Sequence, residues 1–181
     1  MARSRIQHSL LLCATGAAAL VALRAAEREG LRMNLTPSMP VGLWQLVATH
    51  SLLKRGDIVI VCLPDGSVAR QAVERGYIAS GSCPGGTEPL VKPVAAASGD
   101  LVTVSATGVS VNADPIANTA PLLRDDAGRE LRPLPPELYR VSFNEVWLLS
   151  GYDRRSFDSR YFGAVPVANV LGVARPLWVL P

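Results

Sequence analysis

Ser38 stands between two prolines in Thr36-Pro37-Ser38-Met39-Pro40, and Lys92 lies far downstream in an apolar run, Pro89-Leu90-Val91-Lys92-Pro93-Val94-Ala95-Ala96-Ala97. A serine hydroxyl attacks a carbonyl at neutral pH only when a neighbouring group takes its proton, and either histidine or neutral lysine serves that purpose. Histidine is scarce here. The chain has His8, in the tail ahead of an apolar segment, and His50, so a Ser/His/Asp triad would have to rest on His50. Lysine is equally scarce: of 18 basic residues only Lys54 and Lys92 are lysines, and lysine is the one of the two cations that a protein can deprotonate. Each proline fixes its own φ and biases the preceding residue toward extended backbone, which holds Ser38 in one geometry, as near-attack positioning requires. If Lys92 points inward, desolvation lowers its pKa from roughly 10.4 and leaves an amine able to accept the Ser38 proton. Taken alone, both segments also have plainer readings: a surface turn for the pentapeptide, and a strand lysine pointing to water. Lys54, in the turn Lys54-Arg55-Gly56-Asp57, reads as a solvated turn residue.

A polar cluster bounded by aromatic residues follows at Asp153-Arg154-Arg155-Ser156-Phe157-Asp158-Ser159-Arg160-Tyr161-Phe162-Gly163. Asp158 and Arg160 are two apart and share a face if the segment is extended. They read either as a surface salt bridge of little energetic value or as a pair bracing the loop beside the lysine. Of three cysteines, Cys13 reads as a small apolar residue of the N-terminal run. Cys62 and Cys83 remain, a disulfide in an oxidising compartment or two thiols in the cytosol. With no CxxC spacing and no histidine cluster, neither a metal site nor a cofactor is expected.

These residues must be positioned by a chain of 181 residues, 49% of them hydrophobic, enough for one well-buried domain and an appendage. The net charge of +3 comes from scattered basic residues without a helix-turn-helix pattern, so no direct nucleic-acid partner is expected. Residues 1–30 form the appendage. Arg3 and Arg5 precede an uncharged run from Ser9 to Leu23 that ends at Arg24. Fifteen helical residues reach about 22 Å, short of the roughly 30 Å hydrocarbon core, so a membrane anchor needs flanking residues to snorkel. A cleaved signal peptide is the alternative, but Leu23 and Arg24 occupy the minus-three positions before Ala25 and Ala26, which favours an uncleaved anchor. Residues 31–181 read as mainly β. Strands are expected in Val41–Thr49, Ile58–Leu63, Leu90–Ala97, Leu101–Ser105, Val141–Leu149 and Val165–Val179, with a hairpin at Val109–Asp114. A short helix is expected at Val68–Gly76, a loop at Gly81–Pro89, and a surface insertion from Pro115 to Pro136.

Four stretches stand in register behind the apolar segment: Asn34-Leu35-Thr36-Pro37-Ser38-Met39-Pro40-Val41-Gly42-Leu43-Trp44; Arg55-Gly56-Asp57-Ile58-Val59; Val91-Lys92-Pro93-Val94 leading to Gly99-Asp100; and Ser156-Phe157-Asp158-Ser159-Arg160-Tyr161-Phe162-Gly163-Ala164-Val165. Together they resemble the signal peptidase I superfamily of Ser/Lys peptidases, most closely its conjugative-transfer branch, the TraF-type pilin peptidases. The resemblance implies Ser38 as nucleophile and Lys92 as general base. It implies an oxyanion hole made by the Ser38 N–H and the Thr36 hydroxyl, and Asp158, Arg160 and Ser156 as supports of the lysine loop. It also implies a signal peptidase-like β-rich catalytic core, held by one N-terminal transmembrane helix on the periplasmic face of a bacterial inner membrane, where a Cys62–Cys83 disulfide would form. Where general signal peptidases carry Gly-Asp-Asn-Arg, this chain has Ser150-Gly151-Tyr152-Asp153-Arg154-Arg155. That departure points away from bulk signal-peptide removal and toward a dedicated substrate, the precursor of a conjugative pilus subunit, handled beside a type IV secretion machinery by cleavage or by cleavage with cyclisation. The rival readings are a general signal peptidase I and a non-catalytic pilus assembly factor that binds pilin on a β surface.

Overall fold

Valine recurs through the apolar runs of the body, and β-branched side chains fit a pleated, buried surface better than a helix. The computed structural model describes residues 14–18, 20–22, 24–26, 28–48 and 52–180, and the chain divides into two units between Arg32 and Met33. In the first unit the described residues between 14 and 28 are helical, and Gly30, at φ 81°, ends the segment. Residues 9–13, 19 and 23 of the expected anchor lie outside the described residues, as do His8 and His50. Among the described residues no helix is long and apolar enough to cross a membrane.

Most of the body is a seven-stranded sheet in the order β1-β2-β11-β3-β4-β9-β10. Its strands are β1 (Leu31–Asn34), β2 (Gly42–Val47), β3 (Ile58–Val61), β4 (Leu90–Ala97), β9 (Glu145–Leu148), β10 (Val165–Pro166) and β11 (Val170–Val179). A second sheet, ordered β7-β6-β5-β8, is built from β5 (Leu101–Ser105), β6 (Gly108–Val111), β7 (Asp114–Ile116) and β8 (Leu138–Arg140). Period-two alternation in β5 and β6 turns Val102, Val104, Val109 and Val111 to one face. There they pack with Ala96 and Trp147 of the larger sheet and with Leu149 just after β9. Val59, Val61, Val94, Val146 and Leu148 form a second core cluster in the larger sheet. Helix α1 (Ser67–Glu74) buries Ala69 and Ala72 against Leu63 and Ile78.

Strand-class expectations hold, with shifts that have local causes. The last run divides into β10, a 3-10 turn at Val167–Asn169 and the ten-residue β11. That strand changes register between Val170 and Gly172 on β3, and between Pro176 and Trp178 on β2, which lets it serve both neighbours. The expected surface insertion from Pro115 to Pro136 begins inside a strand. Pro115 lacks an N–H but sits in β7, the edge strand of its sheet, where no further ladder partner is needed. Within the same insertion Thr119 is buried and its Oγ1 accepts from Val109 N at 2.9 Å. Gly42, at the start of β2, is fixed by close approach: a Cβ there would come within 2.2 Å of the Trp178 carbonyl, and φ is 149°.

Cys62, just after β3, and Cys83, in the loop leading to β4, form a disulfide with Cα atoms 5.5 Å apart and a sequence separation of 21. Closing a loop of that length restricts the unfolded chain by about 3 kcal/mol. Reduction, or Cys62→Ser with Cys83→Ser, is therefore expected to lower the thermal midpoint by roughly 6–12 °C for a domain of this size. Circular-dichroism melting with and without reductant measures this, and equal midpoints would show that the crosslink contributes nothing.

Candidate active site

The serine turn is tied down mainly from its own flanks. Asn34, the last residue of β1, is buried and points its carboxamide into the turn. Its Nδ2 donates to the carbonyls of Thr36 (3.0 Å), Met39 (3.0 Å) and Pro40 (3.1 Å). Its Oδ1 accepts from the Thr36 N–H at 3.3 Å and from Thr36 Oγ1 at 2.9 Å. Trp44 Nε1 adds a bond to the Pro40 carbonyl at 3.1 Å, and Met39 fills the core beneath. Ser38 is 8% exposed, and its Oγ lies 3.2 Å from Thr36 Oγ1. Because the Thr36 proton goes to Asn34, Ser38 is the donor in that contact.

Lys92 lies in β4 opposite Val59 of β3, and is only 3% exposed. Its Nζ donates to Ser156 Oγ at 2.7 Å. Burial lowers its pKa from 10.5 to about 8; the negative charges of Asp158 and Asp153 oppose that fall, while the Arg160 charge adds to it. About a tenth of such amines are neutral at pH 7.

Asp158 and Arg160 have no exposed surface. The segment is not the extended stretch that would put them on one face. Asp158 is the extended N-cap of a one-turn helix, α2 (Ser159–Phe162), and accepts from the Arg160 N–H. Arg160 sits in that turn and folds back. Its Nε donates to Asp158 Oδ1 at 2.8 Å and its Nη2 to Oδ2 at 2.7 Å. The other guanidinium protons reach the carbonyls of Ser150 (3.1 Å), Asn118 (3.3 Å) and Arg154 (3.3 Å). All five donors are used. Burial works against the Arg160 charge, but the bonds and attraction of Asp158 outweigh it and hold the guanidinium above its usual range. Phe157, between Ser156 and Asp158, packs against Tyr77, Tyr161 and Phe162 with ring centroids 5.1–5.7 Å apart.

Ser150 joins this pair to the serine turn. Its N–H donates to Asp158 Oδ2 at 3.1 Å, and its Oγ donates to the main-chain carbonyl of Ser38. The preceding Leu149 N–H bonds the carbonyl of Pro93, the neighbour of Lys92, at 3.2 Å. Met39 and Val91, the residues beside Ser38 and Lys92, belong to one apolar cluster. The fold thus brings Thr36, Ser38, Lys92, Ser156, Asp158 and Arg160 to one region. Among the described residues no hydrogen bond joins Ser38 Oγ directly to Lys92 Nζ, and no three His, Cys, Asp or Glu side chains cluster as metal ligands. An open apolar groove of about 530 Å³, lined by Pro93, Val94, Leu149, Gly151 and Tyr152 among others, begins one residue from Lys92 and one from Ser150.

Sequence reasoning missed Asn34 and Ser150. The first had a faint local signal, since an Asn two residues before a turn threonine fits a side-chain-closed turn. The second had none: its partner Ser38 is 112 residues away.

A model of the family described as signal peptidase, peptidase S26, matches residues 4–179. The chain is 43% identical over 160 residues to a probable conjugal transfer protein TraF of Sinorhizobium fredii, covering 87% of this chain and 82% of that one. It is 39% identical over 163 residues to a plasmid transfer protein TraF of Escherichia coli, covering 90% of each. With the conjugal transfer protein TraF of Agrobacterium fabrum it shares 36% identity over 149 residues, 82% of each chain. Among solved structures, a signal peptidase I of Enterococcus faecalis aligns at 18% identity and a TM-score of 0.38, over 69% of this chain and 98% of that one. With a family match that spans nearly the whole chain and relatives of more than one-third identity over most of their length, this protein belongs to the signal peptidase family, peptidase S26.

Proposed function

We propose that the protein is a membrane-anchored serine endopeptidase that uses Ser38 and Lys92 to mature a conjugative pilin precursor, with its catalytic body on the periplasmic side of a bacterial inner membrane. The observation that carries this reading is the burial of Lys92 beside Ser156, with a pKa of about 8, in the same network that holds the Ser38 main chain. A neutral amine that donates one proton to Ser156 keeps its lone pair for the Ser38 hydroxyl. Ser38 Oγ then bonds to the scissile carbonyl carbon as its proton passes to Lys92. The developing oxyanion takes the Ser38 N–H and the Thr36 hydroxyl, once Thr36 turns its proton away from Asn34. When the C–N bond breaks, the leaving amine takes the proton from Lys92. Water resolves the acyl-enzyme with Lys92 again as base, and an amine in place of water gives ligation or a cyclic product. The relatives named for conjugal or plasmid transfer support a substrate of the conjugation machinery. The uncharged run Ser9–Leu23 supports the anchor.

Co-expression with conjugative pilin precursors, read by product mass, tests the assignment. Ser38→Ala and Lys92→Ala are each expected to lower processing by roughly 10³-fold or more without unfolding the protein. A product lighter by one further water would identify cyclisation. Processing that survives both substitutions would leave the assembly-factor reading as the better account.

The pH dependence follows from Lys92. Activity is expected to rise with pH along a limb centred near 8, because the working form is the neutral amine. Stability moves in the same direction. The folded value lies below the unfolded 10.5, so burial of the ammonium costs stability below pH 8, and the cost disappears as pH climbs from about 8 to 10.5. Lys92→Met should abolish both dependences, and a rate flat from pH 6 to 9 in the unsubstituted enzyme would remove Lys92 as the base.

Breaking the buried pair should be costly. Asp158→Ala or Arg160→Ala strands an uncompensated charge and is expected to destabilise the fold by about 3–5 kcal/mol. Denaturant unfolding reads this directly, and a loss below 1 kcal/mol would mean that water or a rearranged neighbour satisfies the orphaned partner.

A further inference from the structure

We infer that Ser150 is a positioning residue for the nucleophile, the link through which the buried Asp158–Arg160 pair sets the geometry of the Ser38 turn; the inference rests on Ser38 acting as nucleophile. Ser150 has no exposed surface, and its polar atoms are engaged. Its N–H is held by Asp158 Oδ2 and its carbonyl by Arg160 Nη2, both at 3.1 Å. Its hydroxyl donates to the Ser38 carbonyl and accepts from Tyr152 N–H at 3.2 Å. Among the described residues neither Asp158 nor Arg160 bonds to Ser38 or Lys92. What they hold rigidly is therefore the Ser150 peptide, with its hydroxyl aimed at the serine turn.

The consequence is mechanical and chemical. Asn34 binds the carbonyls of Thr36, Met39 and Pro40 but not that of Ser38. Among the described residues the Ser38 carbonyl takes its side-chain hydrogen bond from Ser150. That bond fixes the peptide plane following Ser38, and with it the direction from which Oγ approaches a carbonyl. An error of about 1 Å there costs on the order of 10²-fold in rate. Lys92 has its own support in Ser156, so loss of the Ser150 hydroxyl should slow attack without changing the protonation of the base.

The test is acylation of the purified full chain by p-nitrophenyl acetate, followed as nitrophenolate release in detergent solution. Ser38 Oγ bonds to the acetyl carbon as its proton passes to Lys92, the ester C–O bond breaks, and nitrophenolate leaves. Ser38→Ala is the control: release unaffected by that change would refute the nucleophile itself, whatever Ser150 does. Given release that depends on Ser38, Ser150→Ala should acylate roughly 10- to 100-fold more slowly, with the pH limb still near 8. Ser150→Thr, which keeps a hydroxyl donor, should recover at least part of the rate. Hydrogen exchange over residues 35–43 should quicken in Ser150→Ala relative to the rest of the sheet. Wild-type acylation by Ser150→Ala would overturn the inference, and so would a slowed rate accompanied by a displaced limb, which would place its action on Lys92.

Discussion

Two opposite charges with no exposed surface, Asp158 and Arg160, lie at the centre of the polar network, and their burial constrains everything around them. An isolated buried charge costs several kcal/mol, and attraction between partners repays that only when the remaining donors and acceptors are also satisfied. Here they are: the guanidinium spends all five protons on Asp158 and three carbonyls. Those carbonyls belong to Asn118, Ser150 and Arg154, residues from the insertion, the segment just after β9 and the polar loop. The pair therefore pins three separate segments to one point. Two neighbours, Ser150 and Ser156, carry the hydroxyls that reach Ser38 and Lys92.

Two buried cations among the described residues, Arg160 and Lys92, are treated in opposite ways. Arg160 meets a carboxylate in a two-pronged contact and stays charged. Lys92 meets a hydroxyl, feels Asp158 and Asp153 only at a distance, and is pushed toward neutrality by desolvation. A carboxylate placed against Lys92 would hold its proton and remove the base. An arginine in β4 at position 92 could not act as a base at any accessible pH. The arrangement thus favours deprotonation at Lys92, whose partner is a hydroxyl, over Arg160, whose partner is a carboxylate.

Much of the body was legible from local pattern. The β4 and β5 strands coincide with the apolar runs Leu90–Ala97 and Leu101–Ser105, because alternation and β-branching are properties of adjacent residues. The β7 strand was hidden by its proline, which an edge position tolerates, and β8 by its length of three residues. The Asp158–Arg160 spacing was visible, but its geometry was not. Spacing of two gives a shared face only on extended backbone, and here a one-turn helix starts at Ser159. Asn34 left only a faint local signal and Ser150 none, because a buried amide or hydroxyl acquires its role from whichever backbone group the fold brings to it.

Residue types and their order, taken by themselves, determined the β class, the candidate serine and lysine, and membership of the peptidase S26 family. Those depend on short-range pattern and on four stretches in register. The tertiary structure decided which atoms meet. It set Lys92 against Ser156, 64 residues away, and the Ser38 carbonyl against Ser150, 112 residues away. A pKa and an attack geometry are set by the solvent exclusion and fields of groups remote along the chain, and only the folded packing places those groups.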